Sequence, residues 1–161
     1  MEVEMKIVHL MPDPVTQLPV VILKDLRGDT LLPIWVGVFE ASAIQLEIEK
    51  VAVPRPMTHD LLRNVLTGLD AHVNRVVVTE LRGDTFHAVI WLERDGKTIS
   101  IDSRPSDALA LALRADCPIF VDEEVLKVSK SVNVDPEKLN TEELKKFLEG
   151  LNDDDLGKYK M

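Results

Sequence analysis

"ISIDSRPSDALALALRADCPIFV", residues 99–121, is the stretch of sequence that decides the fold. It begins with the alternation of apolar and polar residues that is typical of a strand, and it turns at Ser-Arg-Pro-Ser. A helix made almost entirely of Ala and Leu follows. A helix with hardly any polar face is buried, either inside one domain or across an interface.

Two acids and an arginine stand where this strand ends and the helix begins: Asp102, Arg104 and Asp107. One interpretation is architectural, since Ser103 or Ser106 can cap the helix and Asp107 suits its positive end. The other is functional, because a helix N-terminus beside Arg104 can hold a phosphate. The two interpretations are compatible. Both predict that the three charged residues lie close together and that Arg104 bridges at least one carboxylate.

Upstream of this stretch the sequence predicts an antiparallel sheet. Residues 72–82, 85–93 and 97–102 form a meander, and its second turn is Asp95-Gly96, a strong hairpin signal. Residues 19–25 and 30–38 predict a further hairpin. We therefore expect an α+β fold with a largely antiparallel sheet, packed helices and a C-terminal helical tail.

Two amphipathic helices are predicted between these sheet segments. In the first, residues 40–50, Leu46 lies off the main apolar stripe, so the helix is expected to be covered on more than one side. In the second, which follows Thr58 as its expected N-cap, one face is apolar. That face consists of Leu61, Leu62, Val65, Leu66 and Leu69.

Composition limits the class of protein. The chain has 161 residues, of which 45% are hydrophobic and 29% are charged, and it contains one cysteine. These values predict one globular domain, 1–132, in a reducing cytoplasmic compartment, with no disulfide framework and no membrane segment. The net charge of −9 argues against a passive nucleic-acid binder, but a nuclease that gathers carboxylates around cations remains compatible with it.

The C-terminal residues, 133–161, differ in texture from the rest of the chain. They carry many charges around few apolar residues, with one amphipathic helix at 141–151. We interpret this segment as a docking tail for a protein partner. Its removal is expected to cost less than about 2 kcal/mol of stability, because such segments order weakly.

No short motif in the sequence names a reaction. Zinc-binding, Walker, dinucleotide-binding and nucleophile-elbow patterns are all missing from it. His59 and Asp60 start the second helix, where a histidine is either a solvated capping residue or a general base. Neighbouring helical residues point about 100° apart, so these two are not expected to bind one ion together.

Longer segments of the chain resemble the bifunctional nuclease family. The resemblance rests on residues 32–62 and 99–126, through the pieces PIWVG-x-x-EA, RP-x-THDL and RPSDA-x-ALA in that order. It implies an α+β domain that self-associates and has DNase and RNase activity. The family's hallmark positions that match here are Glu40, Arg55, His59, Asp60, Asp102, Arg104, Ser106 and Asp107.

The function we expect from the resemblance and the residues is hydrolysis of phosphodiester bonds in DNA and RNA. The expected catalytic residues are Asp102, Asp107 and His59. Arg55 and Arg104 are expected to bind the substrate phosphate, and Glu40, Asp102 and Asp107 to hold Mg²⁺ or another divalent ion. The alternative is a non-catalytic oligomeric binding or regulatory module. In either case we expect a homo-oligomer, with the dimer favoured.

Overall fold

A computed structural model describes residues 1–129, 132–133 and 141–150 of the chain. The strands are β1 (Glu2–Pro12), β2 (Pro19–Asp25), β3 (Thr30–Trp35), β4 (His72–Arg82), β5 (Thr85–Arg94), β6 (Lys97–Ser103), β7 (Ile119–Asp122) and β8 (Val132–Asn133). The helices are α1 (Val38–Ile48), α2 (Thr58–Gly68), α3 (Pro105–Ala115), α4 (Glu123–Val128) and α5 (Thr141–Glu149). None of the helices within these described ranges is long and apolar enough to cross a membrane.

The strands form one sheet in the order β6-β5-β4-β7-β1-β2-β3-β8. All neighbours pair antiparallel except β4 and β7, which run parallel. The sheet therefore consists of two antiparallel parts, β1–β2–β3–β8 and β4–β5–β6, with β7 between them. This arrangement confirms the predicted α+β class and the largely antiparallel sheet.

The predicted meander and hairpin are also present. In the β5–β6 turn Asp95 has φ 50° and Gly96 has φ 72°, as a tight two-residue hairpin requires. Glycine at position 96 takes this left-handed conformation at little cost. The turn brings the chain back along β5 and delivers it to the start of α3.

Helix α3 lies at the centre of the helical layer. It packs against α1 and α2 and against strands β4 and β5. Eight of its eleven residues are buried, which confirms the expectation drawn from its Ala-Leu composition. Since helix interfaces surround it, any polar side chain on α3 must find its partners in these neighbouring elements.

Two expected helix caps are replaced by other residues. Helix α2 begins after Met57 rather than Thr58, because the Asp60 carboxylate folds back and accepts the Met57 amide at 2.9 Å. Helix α3 has Arg104 as its N-cap with no side-chain cap, so neither Ser103 nor Ser106 serves. Pro105, the first helical residue, has no N–H, which leaves one amide fewer to satisfy.

Arg114 is a buried arginine that ties three helices together. Its Nε donates to Oδ1 of Asp60 in α2 at 2.7 Å, and its Nη2 donates to the backbone oxygen of Ala43 in α1 at 3.0 Å. Its Nη1 donates to the oxygen of Ala110 in its own helix. The Met57 amide and the Arg114 guanidinium together hold the pKa of Asp60 below its ordinary value.

Helix α5 contributes to the core. Leu144 and Leu148 are buried and belong to the same apolar cluster as the sheet and α3. Each fully buried leucine stabilises a fold by about 1.5–3 kcal/mol. The burial therefore raises the expected cost of removing this helix above the small value predicted for a loose tail. The division of the chain at 132/133 stays a prediction.

The Asp60–Arg114 pair makes stability depend on pH in a defined direction. Asp60→Asn keeps an acceptor for the Met57 amide but removes the charge that faces Arg114, so it should destabilise by about 2 kcal/mol at neutral pH. The depressed pKa of Asp60 makes this contribution complete above the unfolded value of 3.8, and it is lost as the pH falls through the folded pKa. Urea unfolding of the wild type and of Asp60→Asn, from neutral pH to below pH 3.8, measures the difference in their free energies of unfolding. The control is Asp84→Asn, which changes an exposed acid. A difference that does not change with pH would contradict the ion pair.

The burial of α5 predicts a clear effect of one substitution. Leu148→Ala leaves a cavity in the core and should lower the free energy of unfolding by about 3 kcal/mol. The exposed neighbour Lys145→Ala, in the same helix, should change it by less than about 0.5 kcal/mol. Equal unfolding midpoints for the two variants would show that α5 is not part of the core.

Candidate functional site

A cleft with a volume of about 770 Å³ lies between α1 and α2. Apolar side chains make up most of its lining: Phe39, Ala43, Leu46, Met57, Leu61, Leu62 and Val65. One end is polar and consists of Glu40, His59, Arg104 and Asp107. The cleft is open to solvent, since Phe39 on its rim is 88% exposed. Concave, mainly apolar clefts with a few convergent polar groups are the usual form of ligand sites.

The four polar residues form one connected chain of hydrogen bonds. Nε2 of His59 lies 2.9 Å from Oδ1 of Asp107. Arg104 donates from Nε to Oδ2 of Asp107 at 2.9 Å and from Nη2 to Oε1 of Glu40 at 2.6 Å. Three helices and the β6–α3 junction therefore meet at this point. The site is a tertiary assembly of residues from α1, α2 and α3.

The members of this chain differ in exposure. The side chain of His59 is 12% exposed and that of Glu40 16%, whereas Arg104 is 54% exposed. Hydrogen bonds to Glu40 first, and then to Asp107, raise the pKa of Arg104 above its ordinary value, so its charge is permanent. The arginine thus faces solvent while the acids and the imidazole lie deeper.

A glycine makes room for Glu40. Gly37 precedes α1 as its N-cap, and a Cβ at that position would collide with Oε2 of Glu40. Because residue 37 has no side chain, the Glu40 carboxylate can fold back over the start of its own helix and turn toward Arg104. The glycine in the WVGVFEA segment is the sequence signal for this arrangement.

The structure brings together part of the predicted site. Arg104 bridges Asp107, as predicted, and it also bridges Glu40. His59 and Asp60 point to different partners, as their 100° separation predicts: His59 meets Asp107 and Asp60 meets Arg114.

Two predicted residues lie apart from this assembly. Asp102 is exposed on β6, opposite Val89, and it makes no hydrogen bond or ion pair with Arg104, contrary to the expected three-residue cluster. The physical reason is that β6 is the edge of the sheet, with its side chains open to solvent. Arg55 is exposed in the connection between α1 and α2 and does not line the cleft.

The residues proposed as Mg²⁺ ligands do not form a set that fits the ion. Within the described part of the chain, no group of three or more His, Cys, Asp or Glu side chains converges on one point. Both oxygens of Asp107 are engaged, one by His59 and one by Arg104, and Oε1 of Glu40 is engaged by Arg104. Mg²⁺ requires near-octahedral oxygen ligands, and here the guanidinium occupies the place of a cation. Glu40, Asp102 and Asp107 therefore do not provide a set of ligands for Mg²⁺. A divalent-metal site in this protein stays a prediction.

Sequence reasoning missed Arg114, on which the arrangement of the helices depends. The signal was available, because Arg114 is the single charged residue near the end of an otherwise apolar helix. A charged side chain on a buried helix is expected to have a partner in a neighbouring element. The partner of Arg114 is Asp60, so this acid holds the helices together. Its neighbour His59 instead lines the cleft.

The geometry defines what His59 can do chemically. A neutral imidazole whose Nε2–H donates to Asp107 carries its lone pair on Nδ1, and the carboxylate fixes this tautomer. An oriented carboxylate–histidine pair is a general acid or base. Arg104 uses Nε and Nη2 for the two acids, so Nη1 is the donor that neither acid uses.

Comparison with known proteins places this geometry in a family. The model of the bifunctional nuclease domain matches residues 21–133. An uncharacterised protein of Mycobacterium tuberculosis is 36% identical over 94% of this chain and 96% of its own length. Bifunctional nuclease 1 of Oryza sativa subsp. indica is 29% identical over 61% of this chain and 30% of its own length. Bifunctional nuclease 1 of Arabidopsis thaliana is 29% identical over 64% of this chain and 33% of its own length.

The matched range begins in β2, ends in β8 and includes all four residues of the polar chain, from Glu40 to Asp107. The resemblance seen in the sequence is thereby confirmed, and the chain belongs to the bifunctional nuclease domain family.

Proposed function

We propose that this protein hydrolyses phosphodiester bonds of DNA and RNA, with His59 as the general base. The observation that carries the proposal is the 2.9 Å contact between His59 and Asp107 at the polar end of an open cleft. Membership of a nuclease family supports the reaction class. The matched regions make up 30% and 33% of the length of the two relatives named as nucleases, so we propose their activity for this chain and do not transfer it directly.

The proposed reaction uses the polar chain in two steps. Nδ1 of His59 takes a proton from water, and the resulting hydroxide attacks phosphorus. The carboxylate of Asp107 stabilises the imidazolium that forms. The imidazolium then returns the proton to the leaving oxygen, so that the diester and water become a monoester and an alcohol.

Arg104 is proposed to position the phosphate. Its Nη1, which neither acid uses, can donate to a non-bridging oxygen, where negative charge grows during attack. Glu40 holds the guanidinium in place through Nη2. Two carboxylates beside one arginine leave little excess positive charge, so the binding of nucleic acid through this site is expected to be weak and transient.

The second candidate function is the non-catalytic oligomeric module. The observation that favours it is the same double pairing of Arg104, since a guanidinium that two carboxylates already hold joins α1 to α3 without any ligand. The two candidates differ in what they predict for the loss of His59 and of Arg104.

A nuclease assay on His59→Gln tests the proposed base. Loss of a general base should lower the rate of cleavage by about 10²–10⁴-fold, and Asp107→Asn should lower it by a similar factor because the tautomer is no longer fixed. The matched control is His72→Gln, which changes an exposed histidine outside the α1–α2 cleft. Cleavage of single-stranded and duplex DNA and RNA is followed on gels.

Identical purification of wild type and variants identifies contaminating nucleases, because a contaminant cleaves equally in every preparation. Equal rates for wild type and His59→Gln would therefore refute the proposed function. A parallel series with EDTA tests the predicted divalent ion. Loss of all cleavage in EDTA would assign the reaction to a metal and contradict a mechanism carried by His59 alone.

Arg104→Ala separates the two candidate functions. Because Arg104 is half exposed, its ion pairs should contribute less than about 1 kcal/mol to stability. If Arg104 positions phosphate, the variant should lose about 10²-fold in cleavage, and Arg104→Lys should restore little, since lysine lacks the planar fork. Urea unfolding and cleavage per folded molecule measure the two effects. A loss of about 3 kcal/mol or more with unaltered cleavage would assign Arg104 to architecture.

A further inference from the structure

The cleft beside the proposed catalytic residues has more apolar surface than a phosphate group can contact. Phe39, Met57 and Leu61 line it, and each is at least half exposed. Leu62 and Val65 extend this exposed lining along α2. The volume of about 770 Å³ lies within the range of sites for small organic ligands, roughly 300–1,000 Å³. The cleft therefore has room for a part of the substrate that does not itself react.

The charges around the cleft do not favour a polyanion. Of the described residues that line it, Arg104 is the one lysine or arginine, and Glu40 and Asp107 already hold its guanidinium. The chain as a whole has a net charge of −9. Affinity for nucleic acids normally comes from contacts of Lys and Arg with phosphates. A nucleic acid that reaches Arg104 must therefore gain most of its binding energy from a part other than its phosphates.

The nucleobases are the part of a nucleic acid that suits an apolar cleft. Their flat faces stack on aromatic side chains whatever the sequence. In a duplex the bases stack on one another, so these faces are accessible only in single strands and unpaired loops. Phe39 directly precedes Glu40 in the first turn of α1, and both side chains line the cleft. An exposed aromatic ring therefore belongs to the same site as the polar end.

We propose that the cleft between α1 and α2 binds unpaired nucleobases, with Phe39 as the residue on which a base stacks. The substrate is then single-stranded nucleic acid, and the phosphate next to the bound base lies toward Arg104 and His59. This inference rests on the proposed hydrolysis for the identity of the ligand. A duplex has to unpair and extrude a base before it can fill the cleft, which costs free energy that a single strand does not lose.

The lining of the cleft suits bases of any kind. The flexible thioether of Met57 adapts to rings of different shape and makes favourable contacts with them. None of the described lining residues is Asn or Gln, the side chains that recognise the edge of adenine with two hydrogen bonds. The cleft therefore binds by stacking and apolar contact, and we expect similar affinities for the four bases and for DNA and RNA strands.

Fluorescence anisotropy with labelled oligonucleotides tests the proposal. The probes are a single strand of thymidylate, a duplex of the same length, and a strand that has the same phosphates but no bases. The protein is the full chain, as wild type and with His59→Gln, so that binding is measured with and without the proposed base. The single strand should bind at least about 10-fold more tightly than the other two probes, because only it offers free base faces.

The dependence of this binding on salt is a second measurement. If Arg104 makes the one phosphate contact, a fourfold increase in salt should weaken binding of the single strand by less than about 3-fold. A protein that held the strand through a row of phosphates would lose about 10³-fold or more over the same increase. A loss of that size would overturn the proposal.

Substitution of Phe39 separates stacking from other contacts. Phe39→Ala should weaken binding of the single strand by about 10-fold and leave binding of the duplex unchanged, while Phe39→Trp should restore the affinity, because indole also stacks on bases. Since Phe39 is exposed, neither change should alter the unfolding midpoint. The matched control is Val38→Ala, in which the neighbouring exposed valine, outside the lining of the cleft, is shortened without effect on any probe.

Equal binding of the single strand and the base-free strand would overturn the proposal, as would a Phe39→Ala variant that binds the single strand like the wild type. If a second copy of this chain occupied the cleft, Phe39→Ala would lower the mass measured by light scattering and leave the affinity for the single strand unchanged, which also overturns it. Cleavage of the same single strand is measured separately. Cleavage that depends on His59, without binding that depends on bases, would refute the base site alone. Binding that depends on bases, without cleavage, would support the base site and refute the hydrolysis alone.

Discussion

The buried guanidinium of Arg114 is the interaction on which the helical layer depends. It is a charge placed inside an Ala-Leu helix, and a buried charge without partners would cost several kcal/mol. Its partners come from all three central helices, so they can be satisfied only when α1, α2 and α3 have docked together. Satisfying this one group therefore fixes where the other two helices lie.

Arg104 repeats the arrangement at the opposite end of α3. Near the end of α3, Arg114 binds the backbone carbonyl of Ala43 in α1. At the beginning of α3, Arg104 binds the carboxylate of Glu40, which lies one turn earlier in α1. Helix α2 is fastened to α3 in the same way through Asp60 and His59. The polar end of the cleft is thus the exposed one of two arginine joints, and its preorganisation follows from the buried joint.

The local parts of this arrangement could be predicted from the sequence, but the contacts between distant parts could not. The burial of α3, the hairpins and the Arg104–Asp107 contact depend on neighbouring residues or on periodicity, and they were predictable. The contacts of Arg104 with Glu40 and of Asp107 with His59 join positions 64 and 48 residues apart, which only tertiary packing determines. The prediction that Asp102 joins Arg104 and Asp107 was wrong, because nothing in the alternating sequence of its strand reveals that β6 is an edge of the sheet.

The position of β7 has a consequence for how the chain folds. This four-residue strand lies between the two antiparallel parts of the sheet and is the only element of the described chain that pairs with both β1 and β4. Each part consists of local hairpins that can form early. Strand β1 pairs first with β2, but its second partner, β7, lies about 115 residues further along the chain, and such non-local pairings form slowly. We therefore expect the two half-sheets to form as separate hairpins on the ribosome until residues 119–122 have emerged. The open edges of β1 and β4 are exposed to wrong partners for that interval.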